Sequence, residues 1–323
     1  MEYRSLEEIR VIDFHVHLPH RYRDPVMAAR FLVGKMDSAG IEKAVVIAIE
    51  ASPSVLRSHV SPERIRRAAG KVLDYIAHSR NPLVRKLVYN PEEAIREHER
   101  ILVEHSRSNM EVIAAAREYP ERLLPVASYN PEKGVDGLLE EIEPYRDIIL
   151  GVKIYPTLHC ISPDDPALDK LYEAAGKNGW LVIVHTGCDP GLWELPYFCR
   201  HARPGKVASA AKKHPDTVFV MAHMGSYSLL MPGIYFSEAV EALQAVENLY
   251  ADTSAVDPLF IERAVEEVGH EKLLYGSDFP YMLGFDLADH ARAIMELDIS
   301  LEAKRAILRG NALRLLAFLG RGL

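Results

Sequence analysis

Eight short apolar runs, each followed by a helical pattern, constrain this chain more than any other feature. They are Val11 to His17, Lys43 to Ile49, Leu123 to Ser128, Leu150 to Tyr155, Leu181 to His185, Thr217 to His223, Leu249 to Thr253 and Leu273 to Asp278. Runs such as Lys43-Ala44-Val45-Val46-Ile47-Ala48-Ile49 are nearly continuous in apolar character, which suits strands buried on both faces of a parallel sheet. Eight such units alternating with helices predict an α/β fold, a closed (β/α)8 TIM barrel. A doubly wound open sheet is the alternative, but no Gly-x-Gly-x-x-Gly follows the first run. At 323 residues, the chain is long enough for one barrel domain over residues 1–323.

Helix punctuation agrees with this layout. Gly40 and Gly179 stand where the helices before them should end, and Pro166 falls in the first turn of a helix over Asp164 to Asn178. The last helix, Leu301 to Leu319, is interrupted by Gly310, and Asn311 is placed to recap it. The stretch from Ala51 to Asn109 breaks the rhythm with charged helical patterns and Pro53, Pro62, Pro82 and Pro91. It reads as a helical insertion after strand 2 and a candidate lid, with a stabilising decoration as the other reading.

The first run carries the sharpest chemical signal. In Val11-Ile12-Asp13-Phe14-His15-Val16-His17, strand alternation puts His15 and His17 on one face with Asp13, and Phe14 and Val16 on the other. Two imidazoles on one face form a bidentate clamp for a divalent metal. Other polar residues gather at the ends of later strands, where barrels of this kind place their active sites. These are Lys153 and Tyr155 on strand 4, His185 on strand 5, His223 on strand 6, Asp252 on strand 7 and Asp278 on strand 8. A carboxylate buried in a barrel mouth is costly to desolvate, and a cation offsets that cost.

These segments resemble the amidohydrolase superfamily, in the amidohydrolase-related branch that includes aminocarboxymuconate-semialdehyde decarboxylase. The matching pieces are Asp13 to His17, Gly151-Val152-Lys153, His185-Thr186-Gly187, Ala222-His223-Met224-Gly225, Gly276-Ser277-Asp278-Phe279-Pro280 and Asn311-Ala312. They cover the barrel from end to end and leave the insertion outside. The resemblance implies one divalent metal ion, zinc first, on His15, His17, His185 and Asp278. It gives His223 and Asp278 the catalytic proton transfers. Lys153 is expected to contact substrate or make a salt bridge; a second metal enters only if Lys153 is carbamylated. Tyr155 is a second substrate contact or a filler of the mouth. Arg203, on the loop after strand 5, is a candidate for holding a substrate carboxylate. Asp252 is expected to orient His223 or His185 from behind, or to cap the next helix.

The expected function is a metal-dependent hydrolase, with metal-activated water attacking an amide, ester or lactone of a small organic acid. The alternative is a nonoxidative decarboxylase of an aromatic or unsaturated acid, which uses the same ligands. Lys153 leans the reading toward hydrolysis, because the decarboxylases of the branch mostly lack that lysine. A non-catalytic metal-binding protein is a further reading. A net charge of −8 and the lack of a basic stripe argue against a nucleic-acid partner, and no run is apolar for long enough to span a membrane. The partner expected is a small-molecule substrate, with a homo-oligomer left open. Three cysteines without Cys-x-x-Cys spacing, and a charged N-terminus without a signal-peptide core, suggest a reduced, cytoplasmic setting.

Overall fold

The computed structural model describes residues 6–70, 90–282 and 284–321. Eight parallel strands follow one another in chain order around the sheet: β1 Val11–Val16, β2 Ile41–Ile47, β3 Leu123–Ser128, β4 Gly151–Ile154, β5 Leu181–Gly187, β6 Val218–Tyr227, β7 Leu249–Asp252 and β8 Leu273–Leu274. The chain returns from β8 to β1 through a parallel bridge between Val16 and Phe279. Backbone hydrogen bonds from Phe14 N–H to the Tyr275 carbonyl (2.7 Å) and from Asp278 N–H to the His15 carbonyl (2.9 Å) complete the (β/α)8 barrel.

The apolar residues divide into an inner and an outer layer. Ile12, Phe14, Val45, Ile47, Val126, Leu181, Ile183 and Val220 pack inside with Leu315 and Leu316 of the last helix. Val11, Val16, Ala44, Val46, Val182 and Val184 pack outward against the helices. This division corrects the expected alternation in β1. A register shift between Asp13 and Val16 breaks the period of two. Phe14 therefore joins the inner layer while Val16 joins the outer one, and the irregularity falls at His15.

Gly40 and Gly179 end their helices in the left-handed conformation, as expected. Asn311 does not recap the last helix. A π-turn, Ala306–Gly310, carries the helix through, and the Asn311 amide instead donates to the carbonyls of His270 (2.5 Å) and Leu273 (2.6 Å). It thereby ties the C-terminal helix to β8.

Of the insertion, Pro53–His59, Pro62–Gly70 and Pro91–His105 are helical, and residues 71–89 lie outside the described residues. Its two ends meet at an antiparallel bridge between Ile49 and Arg107, with both N–H to O distances at 2.9 Å. Arg107 is buried. Its guanidinium donates to the carbonyls of Pro19 (3.1 Å), His20 (3.2 Å), Tyr22 and Arg23 (3.2 Å), and pairs with Glu111 at 2.8 Å. The loop after β1 is thus held against the base of the insertion. Farther along, His98 accepts from the Leu192 N–H at 2.9 Å and presses its ring edge-on to Trp193. Gly191 makes this approach feasible, since a Cβ there would lie 2.1 Å from His98 Nε2.

Candidate metal centre and substrate cavity

The C-terminal ends of the strands bring His15, His17, Lys153, His185, His223, Asp252 and Asp278 together, all of them buried. Three histidines have their ring orientation fixed from behind. His15 Nδ1 donates to Asp252 Oδ2 at 2.8 Å. His17 Nδ1 donates to the Ile47 carbonyl at 2.9 Å, and His223 Nδ1 to the Ser254 carbonyl at 2.9 Å. Because these partners only accept, each Nδ1 carries a proton, and in the neutral ring Nε2 keeps the lone pair. His15 Nε2 and His17 Nε2 lie 3.6 and 3.5 Å from Asp278 Oδ1. His15, His17 and Asp278 each place a ligand atom within 4.8 Å of the others.

His185 stands close to this group but outside it. Its ring centre is 4.7 Å from that of His223. Its Nε2 lies 3.3 Å from Asp189 Oδ2 without a hydrogen-bonding alignment, and is a buried nitrogen with no hydrogen-bond partner. The donor set fits a divalent cation: two imidazole nitrogens, one carboxylate and an orphaned imidazole nitrogen at the edge. Burial, with Lys153 next, holds His15 well below its ordinary range and lowers His185 to about 3. Burial and the neighbouring imidazoles depress His223 as well. These rings are neutral at physiological pH, as metal ligands and proton acceptors must be.

The backbone is unusual at two of these positions. His223, Met224 and Asp278 adopt positive φ of 64°, 47° and 57°, a region that non-glycine residues rarely occupy. Such conformations cluster at functional sites. The turn at His223 is held by its own N–H, which donates to Asp252 Oδ1 at 3.0 Å.

Asp252 is a supporting residue, but for a different histidine than expected. It orients the His15 ring and the His223 backbone, not the ring of His223 or His185, and it caps no helix. Its Oδ1 is occupied by the N–H and Oγ of Ser254 and by the His223 N–H. Lys153 and Tyr155 both face inward. Lys153 Nζ sits 3.5 Å from His15 Nε2 and has no carboxylate partner among the described residues. It does not line the cavity described below. Burial lowers its pKa to about 8. The Tyr155 ring does line the cavity, but its hydroxyl donates to the Ala48 carbonyl at 3.0 Å.

Arg203 lies away from the cavity, contrary to expectation. It stands at the start of the outer helix Pro204–Lys213 with a side chain 52% exposed, paired with Glu238 at 3.0 Å. The loop after β5 turns its apolar residues inward and leaves this guanidinium outside. The same loop corrects the expectation of reduced cysteines. Cys188 and Cys199, with Cα atoms 4.9 Å apart, are joined as a disulfide, and Cys160 is free. The chain doubles back between them through the short turn Gly191–Glu194.

A cavity of about 310 Å³ opens from this group of side chains. Its walls are mainly apolar and aromatic, with Ile49, Leu158, Trp193, Tyr227, Pro280 and Tyr281 among them. The insertion contributes Ile101, Leu102 and His105. Three polar residues in the cavity lie outside the strand ends, and the sequence assigns them no function. Asp189, four residues after His185, is raised by burial to about 6 and accepts from the Thr157 hydroxyl. His20 and His105 stack with ring centres 4.1 Å apart. Burial lowers the pKa of both, followed by Arg107 for His20 and by His20 for His105. Only Asp189 carried a sequence signal, its closeness to a strand-end histidine.

Comparison with known proteins agrees with this geometry. No curated protein matches the sequence. Among solved structures, an uncharacterized TIM-barrel protein from Bordetella bronchiseptica is similar at 20% identity and TM-score 0.66, covering 96% of this chain and 99% of its own. The 5-carboxyvanillate decarboxylase of Sphingomonas paucimobilis is similar at 16% identity and TM-score 0.58, covering 96% and 99%. A probable 2-pyrone-4,6-dicarboxylic acid hydrolase from Acinetobacter baumannii is similar at 15% identity and TM-score 0.59, covering 96% and 100%. At these identities the likeness shows a shared fold. The amidohydrolase family model matches residues 12–318, spanning every strand and all the converging side chains, so the chain belongs to the amidohydrolase family.

Proposed function

We propose that the protein is a metal-dependent hydrolase acting on an amide, ester or lactone of a small organic acid. A divalent ion, zinc first, would be held by His15, His17 and Asp278, with His185 joining from the edge. The observation that carries this reading is the convergence of two lone-pair nitrogens, fixed by their Nδ1–H bonds, on one carboxylate oxygen. A bound divalent ion supplies Lewis acidity and makes a water that it holds more acidic. His223, neutral and tethered through Nδ1, offers Nε2 to take up a proton. Asp278 contributes negative charge opposite both ligand nitrogens. The apolar walls limit water to what the polar end of the cavity retains, which strengthens every charge interaction there.

A second reading, nonoxidative decarboxylation, is favoured by the walls themselves. Trp193, Tyr227 and Tyr281 suit a flat unsaturated acid, and among the described residues neither Lys nor Arg lines the cavity. The test is to load the protein with zinc or manganese and assay both reactions side by side. Ester or lactone hydrolysis lost in His223→Ala supports the first reading, and carbon dioxide release without hydrolysis supports the second. Failure to take up metal, with neither activity, refutes both. Elemental analysis fixes the role of Lys153: one ion per chain leaves it a neighbour of His15, and two make it a carbamylated bridging ligand.

A further inference from the structure

We infer that His20 and His105 form a distal hydrogen-bonding subsite that takes an uncharged hydroxyl or carbonyl group at the far end of the substrate. The inference rests on the metal-centre reading above and extends it to what the other end of the ligand carries. The two histidines come from separate parts of the chain, His20 from the loop after β1 and His105 from the last turn of the helix Pro91–His105. Both line the cavity. Tyr281 connects them to the metal centre, with its ring centre 5.0 Å from His17, 5.4 Å from His105 and 6.3 Å from His20. The rings of His20 and Tyr281 are parallel to within 4°, and with His105 they form one aromatic stack beside the metal-ligand candidates.

The neighbouring tyrosine hydroxyls are already engaged, and the other unpartnered cavity nitrogens, Trp193 Nε1 and His185 Nε2, belong to other walls. The Tyr281 hydroxyl donates to the His105 carbonyl at 3.0 Å, and the Tyr155 hydroxyl to that of Ala48. Arg107 gives its two terminal nitrogens to backbone carbonyls and Glu111 and keeps only Nε without a partner. By contrast, His20 Nδ1 is buried without a hydrogen-bond partner, and the ring nitrogens of His105 make no hydrogen bond among the described residues. A buried polar atom left unpaired is destabilising, and a ligand atom that pairs with it recovers that loss. A neutral imidazole presents one donor and one acceptor. That pattern matches a hydroxyl or carbonyl better than a second carboxylate, for which the described cavity-lining residues include neither lysine nor arginine.

The experiment uses zinc-loaded full-length protein and calorimetric titration with benzohydroxamate and its meta- and para-hydroxy derivatives. The hydroxamate supplies the metal-binding end, and the ring hydroxyl probes the distal subsite. The expected result is that one hydroxy derivative binds about five- to tenfold more tightly than benzohydroxamate. His105→Phe and His20→Phe, which keep an aromatic ring in the stack, should each abolish most of that preference while leaving benzohydroxamate affinity unchanged. Equal binding of all three probes to the wild type overturns the inference and leaves the metal reading intact. So does a preference that survives both substitutions, or an equal loss of all three probes in the variants. If no probe binds and the protein takes up no zinc, the metal reading falls and the inference falls with it.

Discussion

Replacing Asp252 with asparagine should weaken metal binding far more than it weakens the fold. Asp252 uses Oδ1 to accept the backbone N–H groups of His223 and Ser254, each at 3.0 Å, and Oδ2 to accept His15 Nδ1–H at 2.8 Å. Asparagine keeps an oxygen for the backbone contacts but turns an N–H₂ toward His15. The imidazole must then protonate Nε2 instead, which removes the lone pair facing Asp278. Loss of an outer partner of this kind lowers metal affinity about 10–100-fold, or about 1.4–2.7 kcal/mol. Asp252→Ala should behave differently. It also strands two buried backbone donors, at about 1–3 kcal/mol each, so it should lower the melting temperature of the metal-free protein as well. Zinc affinity measured by competition with a chromophoric chelator, alongside thermal melts of the chelator-treated protein, separates the two effects. If Asp252→Asn binds zinc within twofold of the wild type, the assignment of His15 as an oriented ligand is wrong.

Further expectations can be checked with the same protein. His17→Ala and Asp278→Asn should lose the metal by elemental analysis, whereas His223→Ala should retain it and lose turnover. Lys153 is a base whose pKa is lowered on folding, from 10.5 to about 8. The unfolded chain therefore binds more protons between these values, and stability of the metal-free protein should rise as pH increases from about 8 to 10.5. Lys153→Met should flatten that rise and stabilise the metal-free protein at pH 7 by about 3 kcal/mol, read from denaturant midpoints. Gly191→Ala should destabilise by about 1–3 kcal/mol through overpacking against His98, with hydrogen exchange quickening in the helix Pro91–His105. Arg203→Ala should change neither melting temperature nor probe binding beyond about 0.5 kcal/mol, because its ion pair is exposed.

Whether a feature was legible in the sequence follows how locally it is encoded. Strands β1 to β8 were visible because burial on both faces forces unbroken apolar runs. The histidines and Asp278 stood out because each interrupts or ends such a run. The register shift at His15 was not visible, because it depends on how β1 meets β2 and the chain beyond β8. Cavity residues from outside the strands were lost for a related reason. His105 reaches the site only because the helix Pro91–His105 is pinned through His98 and Arg107. His20 does so only because Arg107 gathers the carbonyls of its loop. Arg203 shows the converse error: the loop that bears it follows a strand end, but the side chain emerges on the outer surface beside Glu238.

The bridge between Ile49 and Arg107 bears on how such a protein diversifies. Because the insertion leaves and rejoins the barrel at adjacent points, its length is nearly free thermodynamically; closure entropy grows only with the logarithm of loop size. The proposed metal ligands lie outside the segment between those two residues, whereas Ile101, Leu102 and His105 lie within it. One wall of the cavity is therefore written on a piece of chain separable from the converging histidines and Asp278. Exchanging the segment between Ile49 and Arg107 for that of another barrel should shift ligand preference while leaving the converging side chains unchanged, as a cassette.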